Sequence, residues 1–402
     1  MSVRPFVLAH VSDLHVSTFG DTFHDRLRVV ARSKNLADSD PSRWEPVWRG
    51  AGWQVLRRVG KKSKDIQLLD PSGYSHRVPS LKQVDDPDPV VRAAWLASRL
   101  DARRSAVLAE SPPSAARLAL LAEGTPKNTN VRLLQAASAI GEDVDAVAIT
   151  GDLTDDGAGY EVVLAAFARF RAQGRLYAVP GNHDLYMFPF SGSGRPRPTP
   201  ESKRAGWRDF ASALGLGLHP SGAYVRHVPE ASCVLVGLDS CVRPQRRFFR
   251  HNGAIGAEQS AFVRAVSETP EYRAARHRLV LLHHHVVPLP HGVGRRAPSE
   301  IGMRLDDAES AARLFDEVGV TAVLHGHRHV SEERKPAGAR FRIFAAPSFT
   351  LGCRSGDGPS YWRIELGERV HGERVYTGGL AVAGDSVASL EASDEPGDDE
   401  PT

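Results

Sequence analysis

The stretch LYAVPGNHD at residues 176–184 decides the fold class, because a short apolar run passes directly into a turn of Gly, Asn, His and Asp. Similar apolar runs that end in polar residues recur along the chain, at 6–10, 145–150, 233–238, 279–282 and 321–324. Each run is typical of a buried strand. Helical patterns lie between several of these runs, at 131–140, 161–173, 259–266 and 306–318. Strands that alternate with helices predict an α/β layered fold with functional residues at the strand ends.

Composition narrows the class of protein. The chain has 402 residues, 41% of them hydrophobic and 25% charged, which excludes a wholly disordered chain. No apolar run approaches the roughly 18–20 residues that cross a bilayer, and residues 1–13 predict a first strand rather than a signal peptide. Three cysteines without a CxxC spacing favour a reducing compartment, so we expect a cytoplasmic protein.

Two stretches interrupt the alternation of strands and helices and define the expected domains. Residues 21–125 predict an inserted cap or accessory subdomain, with a β-hairpin at 65–78 followed by an Ala-, Leu- and Arg-rich helical half. Residues 384–402 are acidic and nearly devoid of large apolar side chains, which predicts a disordered tail. The remaining segments, 1–20 and 126–383, are expected to form the main domain.

The front of the insertion, residues 43–64, interleaves seven Lys and Arg residues and three tryptophans with a single acidic residue. Such a pattern suits contact with nucleic acid or with an anionic membrane surface. The alternative is a small subdomain whose tryptophans are core residues and whose charges form a solvated face.

Residues that suit metal ligation stand at the ends of the predicted strands. Asp13 and His15 follow the first strand two positions apart, so both side chains can face one ion. Asp152 follows a glycine at the end of the next strand, and Asn182 offers a carbonyl oxygen that a divalent metal accepts. Alone, a D-x-H or a Gly-Asp pair is more often a polar strand end or a turn, so only the combination is informative.

Histidine is concentrated late in the chain, where seven of the 17 lie between residues 283 and 329. His283, His284 and His285 are consecutive, and because side chains alternate along a strand they cannot all face one metal. The choice between His283 and His284 as ligand therefore stays open. His327 and His329 again stand two positions apart and add two further candidates.

The candidate ligands form a set of nitrogen and oxygen donors without cysteine, which suits Fe, Mn or Zn better than a closed structural zinc site. Seven ligands are too many for one tetrahedral ion and predict two ions about 3.5–4 Å apart, with Asp152 between them. Two such ions can hold phosphate oxygens and activate water for an in-line displacement. His183 can hold or transfer a proton near neutral pH, and Asp184 can fix its tautomer.

The order D-x-H, G-D, G-N-H-D, H and G-H-x-H resembles the calcineurin-like metallophosphoesterases over residues 5–20 and about 130–350. The resemblance implies a four-layer α/β/β/α sandwich with two mixed central sheets, here carrying an inserted subdomain. It further implies that His183 contacts the phosphate and assists the leaving group, with Asp184 orienting it. The two ligand sets that it implies share Asp152: Asp13, His15, Asp152 and His329 for one ion, and Asp152, Asn182, His283 and His327 for the other.

Within that family, the length and loops resemble the bacterial class III cyclic-nucleotide and glycerophosphodiester phosphodiesterases, on residues 238–240 and 256–259. A dinuclear phosphodiesterase that hydrolyses a small diester is therefore the expected function. A phosphomonoesterase, a nuclease that uses the basic insertion, and a binding module without catalysis are the alternatives. The chain departs from the family in its spacing, because Asp13 and Asp152 are 139 positions apart, where a few tens are usual.

Overall fold

The computed structural model describes residues 4–16, 44–60, 66–69, 75–76, 88, 90–98, 129–155, 157–186, 199–241, 252–287, 303–353 and 356–377. The predicted tail at 384–402 lies outside these residues, as do Arg43, Lys61, Lys62 and Lys64 of the basic segment. Among the described residues, no helix combines the length and the apolar character needed to cross a membrane.

The described strands are β1 (Phe6–Val11), β2 (Trp44–Gly50), β3 (Trp53–Arg58), β4 (Ile66–Leu69), β5 (Ser75–His76), β6 (Ala146–Thr150), β7 (Leu176–Val179), β8 (Tyr224–Val228), β9 (Cys233–Gly237), β10 (His277–Leu281), β11 (Ala322–His325), β12 (Glu332–Arg334), β13 (Arg342–Ala345), β14 (Ser360–Leu366) and β15 (Val370–Tyr376). The described helices of the main domain are α1 (Thr129–Ser138), α2 (Tyr160–Ala166), α3 (Ala168–Ala172), α4 (Asn182–Leu185), α5 (Pro200–Ala213), α6 (Gly256–Ser267), α7 (Pro270–Ala274) and α8 (Ala308–Glu317).

Two mixed sheets form the main domain. The first has the order β15-β14-β1-β6-β7, in which β1, β6 and β7 run parallel and β14 and β15 pair antiparallel. The second has the order β12-β13-β11-β10-β9-β8, with a parallel centre of β9, β10, β11 and β13 between two antiparallel edges. All six strands predicted from apolar runs therefore form, within two residues at either end.

Alternation along the second sheet shows how the layers stack. Leu235, Leu279 and Leu324 belong to one hydrophobic cluster together with the first sheet, α1 and α2. Val234, Val280 and Val323, their neighbours in sequence, belong to another cluster with residues of α6 and α8. Since successive side chains of a strand point to opposite faces, one face of this sheet packs on the other sheet and the opposite face packs on helices. The mixed α/β, four-layer architecture predicted from the sequence is confirmed.

One helical prediction was wrong in detail, and one helix had no predicted counterpart. The pattern at 161–173 predicted one helix, but α2 and α3 are separated at Phe167, a fully buried residue whose φ of −110° leaves the helical range. The helix without a counterpart is α5, which follows a Gly- and Pro-rich stretch of sequence. Thr199 accepts a hydrogen bond from the Ser202 amide and Pro200 occupies the first helical position, which is a favourable start for a helix.

The described part of the insertion forms its own sheet, with the order β2-β3-β4-β5. The predicted hairpin is confirmed, because Leu69 of β4 pairs with Ser75 of β5. Trp53 is only 1% exposed and packs with Val55, Leu68 and helical residues of 90–98 in a separate small core. This tryptophan is therefore a core residue, whereas the predicted boundaries of the insertion and its nucleic-acid or membrane contact stay predictions.

Candidate metal centre

The predicted ligands lie directly after the carboxyl ends of five strands drawn from both sheets. Asp13 and His15 follow β1, Asp152 follows β6 and Asn182 follows β7 in the first sheet. The second sheet contributes His283 after β10, together with the two histidines that follow β11, His327 and His329. Parallel neighbours end at the same edge of a sheet, so the fold itself collects these side chains.

Backbone strain is concentrated at the same residues. Seven described residues other than glycine have a positive φ, and five of them are predicted ligands: Asp13 (54°), His15 (49°), Asp152 (49°), His327 (75°) and His329 (48°). Such conformations cost on the order of 1–3 kcal/mol each and persist only where the surrounding structure holds them. The left-handed backbone turns these side chains toward one region, as a ligand set requires.

A segment after β13 holds the strained loop that carries Asp13. The hydroxyl of Ser348 donates to the carbonyl oxygen of Asp13 at 2.6 Å. The hydroxyl of Thr350 donates to the carbonyl oxygen of Leu14 at 2.9 Å. From the other side, the Asp13 amide donates to the Gly151 carbonyl at 3.0 Å. These bonds tie the first ligand loop to the loop that bears Asp152.

The first ligand cluster consists of Asp13, His15 and His329, whose donor atoms all lie within 4.8 Å of one another. His15 Nε2 is 3.0 Å from His329 Nε2, which is itself 3.2 Å from Asp13 Oδ1. Asp13 is completely buried and His15 is 6% exposed, whereas the His329 side chain keeps 20% of its surface exposed. One cation can be shared by these three atoms, with an opening to solvent on the side of His329.

The second cluster consists of Asp152, His283 and His327, again within 4.8 Å. His283 Nε2 lies 3.3 Å from Asp152 Oδ2, 2.8 Å from Asn182 Oδ1 and 3.1 Å from His327 Nδ1. The two clusters touch, because the amide of His327 donates to Asp13 Oδ2 at 3.0 Å. All seven predicted ligands are therefore brought together.

The distribution of protons within the histidines suits metal ligation. We assign the proton of three ligand histidines to the ring nitrogen that faces away from its cluster, because each of these nitrogens lies against a protein oxygen. The contacts are His15 Nδ1 with Asp155 Oδ1 at 2.7 Å, His283 Nδ1 with the Thr150 carbonyl at 2.9 Å and His327 Nε2 with the Met303 carbonyl at 3.1 Å. The opposite nitrogen then presents its lone pair to the cluster, as in established histidine metal sites.

Without an ion, two of the ligand histidines, His15 and His283, have raised pKa values and would carry a second proton near neutral pH. Burial alone would lower the pKa of His15, but the hydrogen bond and charge of Asp155 outweigh it and raise that pKa to about 9. Burial is likewise outweighed at His283, where the charge of Asp152 raises the pKa to about 9. In return, His283 holds the pKa of Asp152 well below its usual range despite burial. A cation would replace the protons on these histidines.

Two glycines leave the space that the ligands occupy. A Cβ at Gly326 would overlap Ser12 Oγ and Asp13 Oδ2, and one at Gly151 would overlap the His283 ring. Gly151 also has a φ of 94°, a conformation that residues with side chains rarely adopt. The glycines that precede Asp152 and His327 are therefore required by the close approach of ligands from other loops.

The carboxylate that lies near the His183 ring differs from the one expected. Asp184 was expected to orient His183, but its oxygens accept hydrogen bonds from the amides of Leu153, Thr154 and Gly181 instead. Asp184 thus shapes the turn that carries His183. The carboxylate near the ring is Asp155, whose Oδ1 lies 3.4 Å from His183 Nδ1 as well as 2.7 Å from His15 Nδ1.

Asp155 was not singled out from the sequence, although one signal pointed to such a residue. A histidine that binds a metal through Nε2 requires an acceptor for its Nδ1 proton. Asp155 stands three positions after Asp152, and its amide donates to the Val16 carbonyl at 2.9 Å, which places it beside His15. A search for carboxylates near each predicted ligand loop finds it.

The three consecutive histidines after β10 have different environments. His283 faces the second cluster, whereas His284 Nδ1 lies 2.8 Å from the hydroxyl of Ser240 and its amide donates to the same oxygen at 3.2 Å. His285 is buried on the other side, with its ring 6.2 Å from that of His325. The geometry therefore favours His283 over His284 as the ligand.

Sequence comparison places this arrangement among known proteins. The family model described as calcineurin-like phosphoesterase matches residues 124–331, just over half of the chain. The chain belongs to the calcineurin-like phosphoesterase family. This family typically carries a dinuclear metal site, and its members are metal-dependent phosphoric ester hydrolases. No curated protein matches the chain.

Solved structures with a similar fold include several phosphoesterases. A purple acid phosphatase from yellow lupin (Lupinus luteus) is 13% identical, with a TM-score of 0.36, and the match covers 62% of this chain and 47% of that one. A putative 5'-nucleotidase from Staphylococcus aureus is also 13% identical, with a TM-score of 0.35 and coverages of 60% and 47%. The chain thus spans about half the length of these two proteins. At such TM-scores the similarities do not bear on its activity.

The nitrogen and oxygen atoms of the two clusters suit a pair of metal ions, as in other calcineurin-like phosphoesterases. Both clusters offer nitrogen and oxygen atoms, with no sulfur among them. The far nitrogens of His15, His283 and His327 already have acceptors, so the near nitrogens are oriented before any ion arrives. This donor set is typical of Fe, Mn and Zn sites and does not distinguish between them.

Proposed function

We propose that the protein is a dinuclear phosphodiesterase that hydrolyses a small phosphodiester, such as a cyclic nucleotide or a glycerophosphodiester. Asp13, His15, Asp152 and His329 would hold one ion. Asp152, Asn182, His283 and His327 would hold the other. When bound, the ions supply Lewis acidity toward the phosphate oxygens and activate water for attack on phosphorus.

The observation that carries this proposal is the contact between the two clusters. Each cluster contains a carboxylate and two imidazole nitrogens within 4.8 Å, and the His327 amide on Asp13 Oδ2 joins them. A single structural ion would need only one of these clusters. Two adjacent sets suit a centre that stabilises both the entering and the leaving oxygen of a phosphoryl group.

His183 is placed to handle the proton of the leaving group. Its side chain keeps 17% of its surface exposed, whereas Asp152 and His283 are almost completely buried. The partly exposed His183 and His329 therefore mark the side from which substrate would enter. Asp155 faces His183 Nδ1 at 3.4 Å and would hold the proton there, so that Nε2 meets the leaving oxygen.

Support for a diester substrate comes from the segments that resemble class III phosphodiesterases, 238–240 and 256–259. Gln259 of the second segment exchanges two hydrogen bonds with the backbone of Asp239 in the first, at 2.9 and 2.6 Å. Ser240 then fixes the ring of His284 beside the ligand His283. These segments form one hydrogen-bonded unit next to the second cluster.

The organisation of the whole chain is part of the proposal. Residues 1–20 and 126–383 would form the catalytic domain and 21–125 an accessory subdomain, supported by the separate sheet and core of the insertion. A reducing, cytoplasmic setting is supported by the three cysteines, Cys233, Cys241 and Cys353, whose number is odd and whose spacing contains no CxxC motif.

The test compares bis(p-nitrophenyl) phosphate with p-nitrophenyl phosphate, using metal-stripped protein to which Mn²⁺ is returned. We expect metal-dependent turnover with a higher kcat/KM for the diester, followed by hydrolysis of cyclic nucleotides or glycerophosphodiesters. A preference for the monoester would refute the phosphodiesterase assignment, and the absence of any metal-dependent cleavage would refute the enzyme assignment itself.

Two variants make the result specific to the proposed centre. His283→Gln removes a ligand of the second ion and should abolish turnover. His227→Gln changes an exposed histidine on β8 and should leave turnover unchanged. Equal loss in both variants would indicate damage to the fold rather than to the metal centre.

A further inference from the structure

Lys203 is a buried cation outside both ligand sets. It lies in the first turn of α5 and is only 1% exposed, which makes it one of the largest fully buried side chains. Burying an ammonium group costs several kcal/mol unless strong partners replace the water that it loses. The contacts of this group therefore explain why a lysine stands here.

The ammonium group binds the turn that carries His183. Lys203 Nζ donates to the carbonyl oxygen of His183 at 2.6 Å and to that of Tyr186 at 2.7 Å. On the opposite side of the same residue, the His183 amide donates to Asp152 Oδ1 at 2.8 Å. The backbone of His183 is thus held at its N–H by the proposed bridging carboxylate and at its C=O by Lys203.

The stem of Lys203 runs through a space that another residue leaves open. Gly157 has a φ of 82°, and a Cβ there would lie 2.9 Å from Lys203 Cγ and 3.1 Å from Cε. The Gly157 amide donates to Thr154 Oγ1, and that hydroxyl donates to Asp184 Oδ1. The loop that packs on the lysine is therefore bonded to the turn that the lysine holds.

Hydrogen bonds to both the N–H and the C=O of one residue restrict where the side chain of that residue can be. The His183 imidazole packs edge-on against the His15 ring, with centroids 4.8 Å apart, and its Nδ1 lies 3.4 Å from Asp155 Oδ1. The position of the ring also depends on the backbone that carries it, which Asp152 and Lys203 hold. Misplacement by about 1 Å can cost on the order of 100-fold in rate.

We propose that Lys203 is a positioning residue that sets the location of the His183 imidazole relative to the leaving oxygen. The inference rests on the proposed function, in which His183 protonates that oxygen. Lys203 acts through the backbone and touches neither substrate nor ion. Its removal should therefore impair proton delivery more than metal binding or substrate binding.

The test compares two aryl phosphodiesters whose leaving groups differ in basicity. Bis(p-nitrophenyl) phosphate releases a weakly basic phenolate that needs little protonation, whereas diphenyl phosphate releases a more basic one. Lys203→Met should lower kcat for diphenyl phosphate by about tenfold, a part of the roughly 10²–10⁴-fold that a general acid contributes. We expect kcat for the nitrophenyl diester to change by less than about threefold, and KM and bound metal to stay unchanged, because the substrate and ion contacts remain.

Controls separate this inference from the proposed function. His183→Ala should show the same selective loss, and adding Lys203→Met to it should cause no further selectivity. Lys335→Met removes an exposed lysine and should have no effect. If His183→Ala is selective but Lys203→Met lowers both activities equally, or neither, the positioning role is wrong. If the wild-type protein cleaves neither diester, the proposed function falls and the positioning role falls with it.

A second variant keeps the test decisive if Lys203→Met does not fold. Gly157→Ala retains the ammonium group but places a methyl group against its stem, within 3.1 Å of two of its carbons. The same selective loss on diphenyl phosphate is expected, at smaller size. A folded, metal-loaded Gly157→Ala protein that treats both diesters as the wild type does would contradict the role of Lys203.

Discussion

The replacement Asp155→Asn tests how one carboxylate serves two histidines. Asp155 is 2% exposed, and its Oδ1 lies 2.7 Å from His15 Nδ1 and 3.4 Å from His183 Nδ1. Asparagine keeps the shape of the side chain and an oxygen that can accept from His15. The variant therefore removes the charge while it leaves the packing in place.

The size of the effect follows from the electrostatics of His15. Its pKa of about 9 lies about 2.5 units above the ordinary value of 6.5, which corresponds to roughly 3 kcal/mol of net stabilisation of the charged ring. Asp155 is the largest favourable contribution to this net value, which already includes the opposing effect of burial. Loss of a carboxylate partner behind a metal-binding histidine typically costs 10–100-fold in affinity, or about 1.4–2.7 kcal/mol. An effect of that size is expected for Asp155→Asn.

The expected result is selective for one ion. Calorimetric titration of metal-stripped protein with Mn²⁺ should show a 10–100-fold weaker first site, the one that includes His15. The second site should keep its affinity, because His283 Nδ1 donates to the Thr150 carbonyl rather than to a carboxylate. Asp209→Asn, at an exposed position of α5, provides the control. Wild-type affinity at both sites, or an equal loss at both, would refute the assignment of Asp155 to His15.

Three further outcomes are expected. Asp152→Asn should lower kcat by more than about 100-fold and reduce bound metal below two ions per chain, as measured by elemental analysis; full metal content with full activity would exclude the bridging role. Titrating Mn²⁺ into metal-stripped protein at pH 7.5 should release about two protons, because His15 and His283 have pKa values of about 9, and calorimetry in buffers of different ionisation enthalpy measures this number. Burial raises the pKa of Asp239 to about 6, although the Cys241 amide donates a hydrogen bond to the carboxylate. The raised pKa stabilises the folded state below about pH 4, and this stabilisation is lost as the pH rises through 6. Asp239→Asn should remove that part of the pH dependence, up to about 3 kcal/mol in chemical unfolding, and an unchanged profile would contradict it.

Elements whose signal is local were predictable from the sequence. Six of the seven strands in the parallel centres were predicted from short apolar runs, and β13 was not. Of the four edge strands of the two main sheets, only β7 was predicted. Glu332–Arg334 has no apolar residue, and it forms a strand only because Ile343 and Phe344 of β13 are there to pair with it. Charged residues on an edge strand protect the sheet against further pairing, and they also hide the strand from a hydrophobic pattern.

The ligand set was predictable because its members come in short spacings at strand ends. The sequence could not predict which histidine of the run at 283–285 is the ligand, since the alternation of side chains along a strand allows two choices. The decision depends on Thr150 at the end of β6 and Ser240 in the loop after β9, which contact the Nδ1 atoms of His283 and His284. The proposed role of Lys203 could not be predicted for a similar reason, because its contacts form only when α5 packs against the turn at 182–186.

The order of the ligands along the chain has a consequence for the synthesis of the protein. His329 completes the first cluster with Asp13 and His15, which precede it by more than 310 positions, and His327 completes the second. A growing chain on the ribosome therefore lacks both complete ligand clusters until synthesis has passed His329. Because β1 also pairs with β14 at 360–366, its partner on that side arrives later still. If the clusters hold ions as proposed, both sites are completed only in the last fifth of the chain.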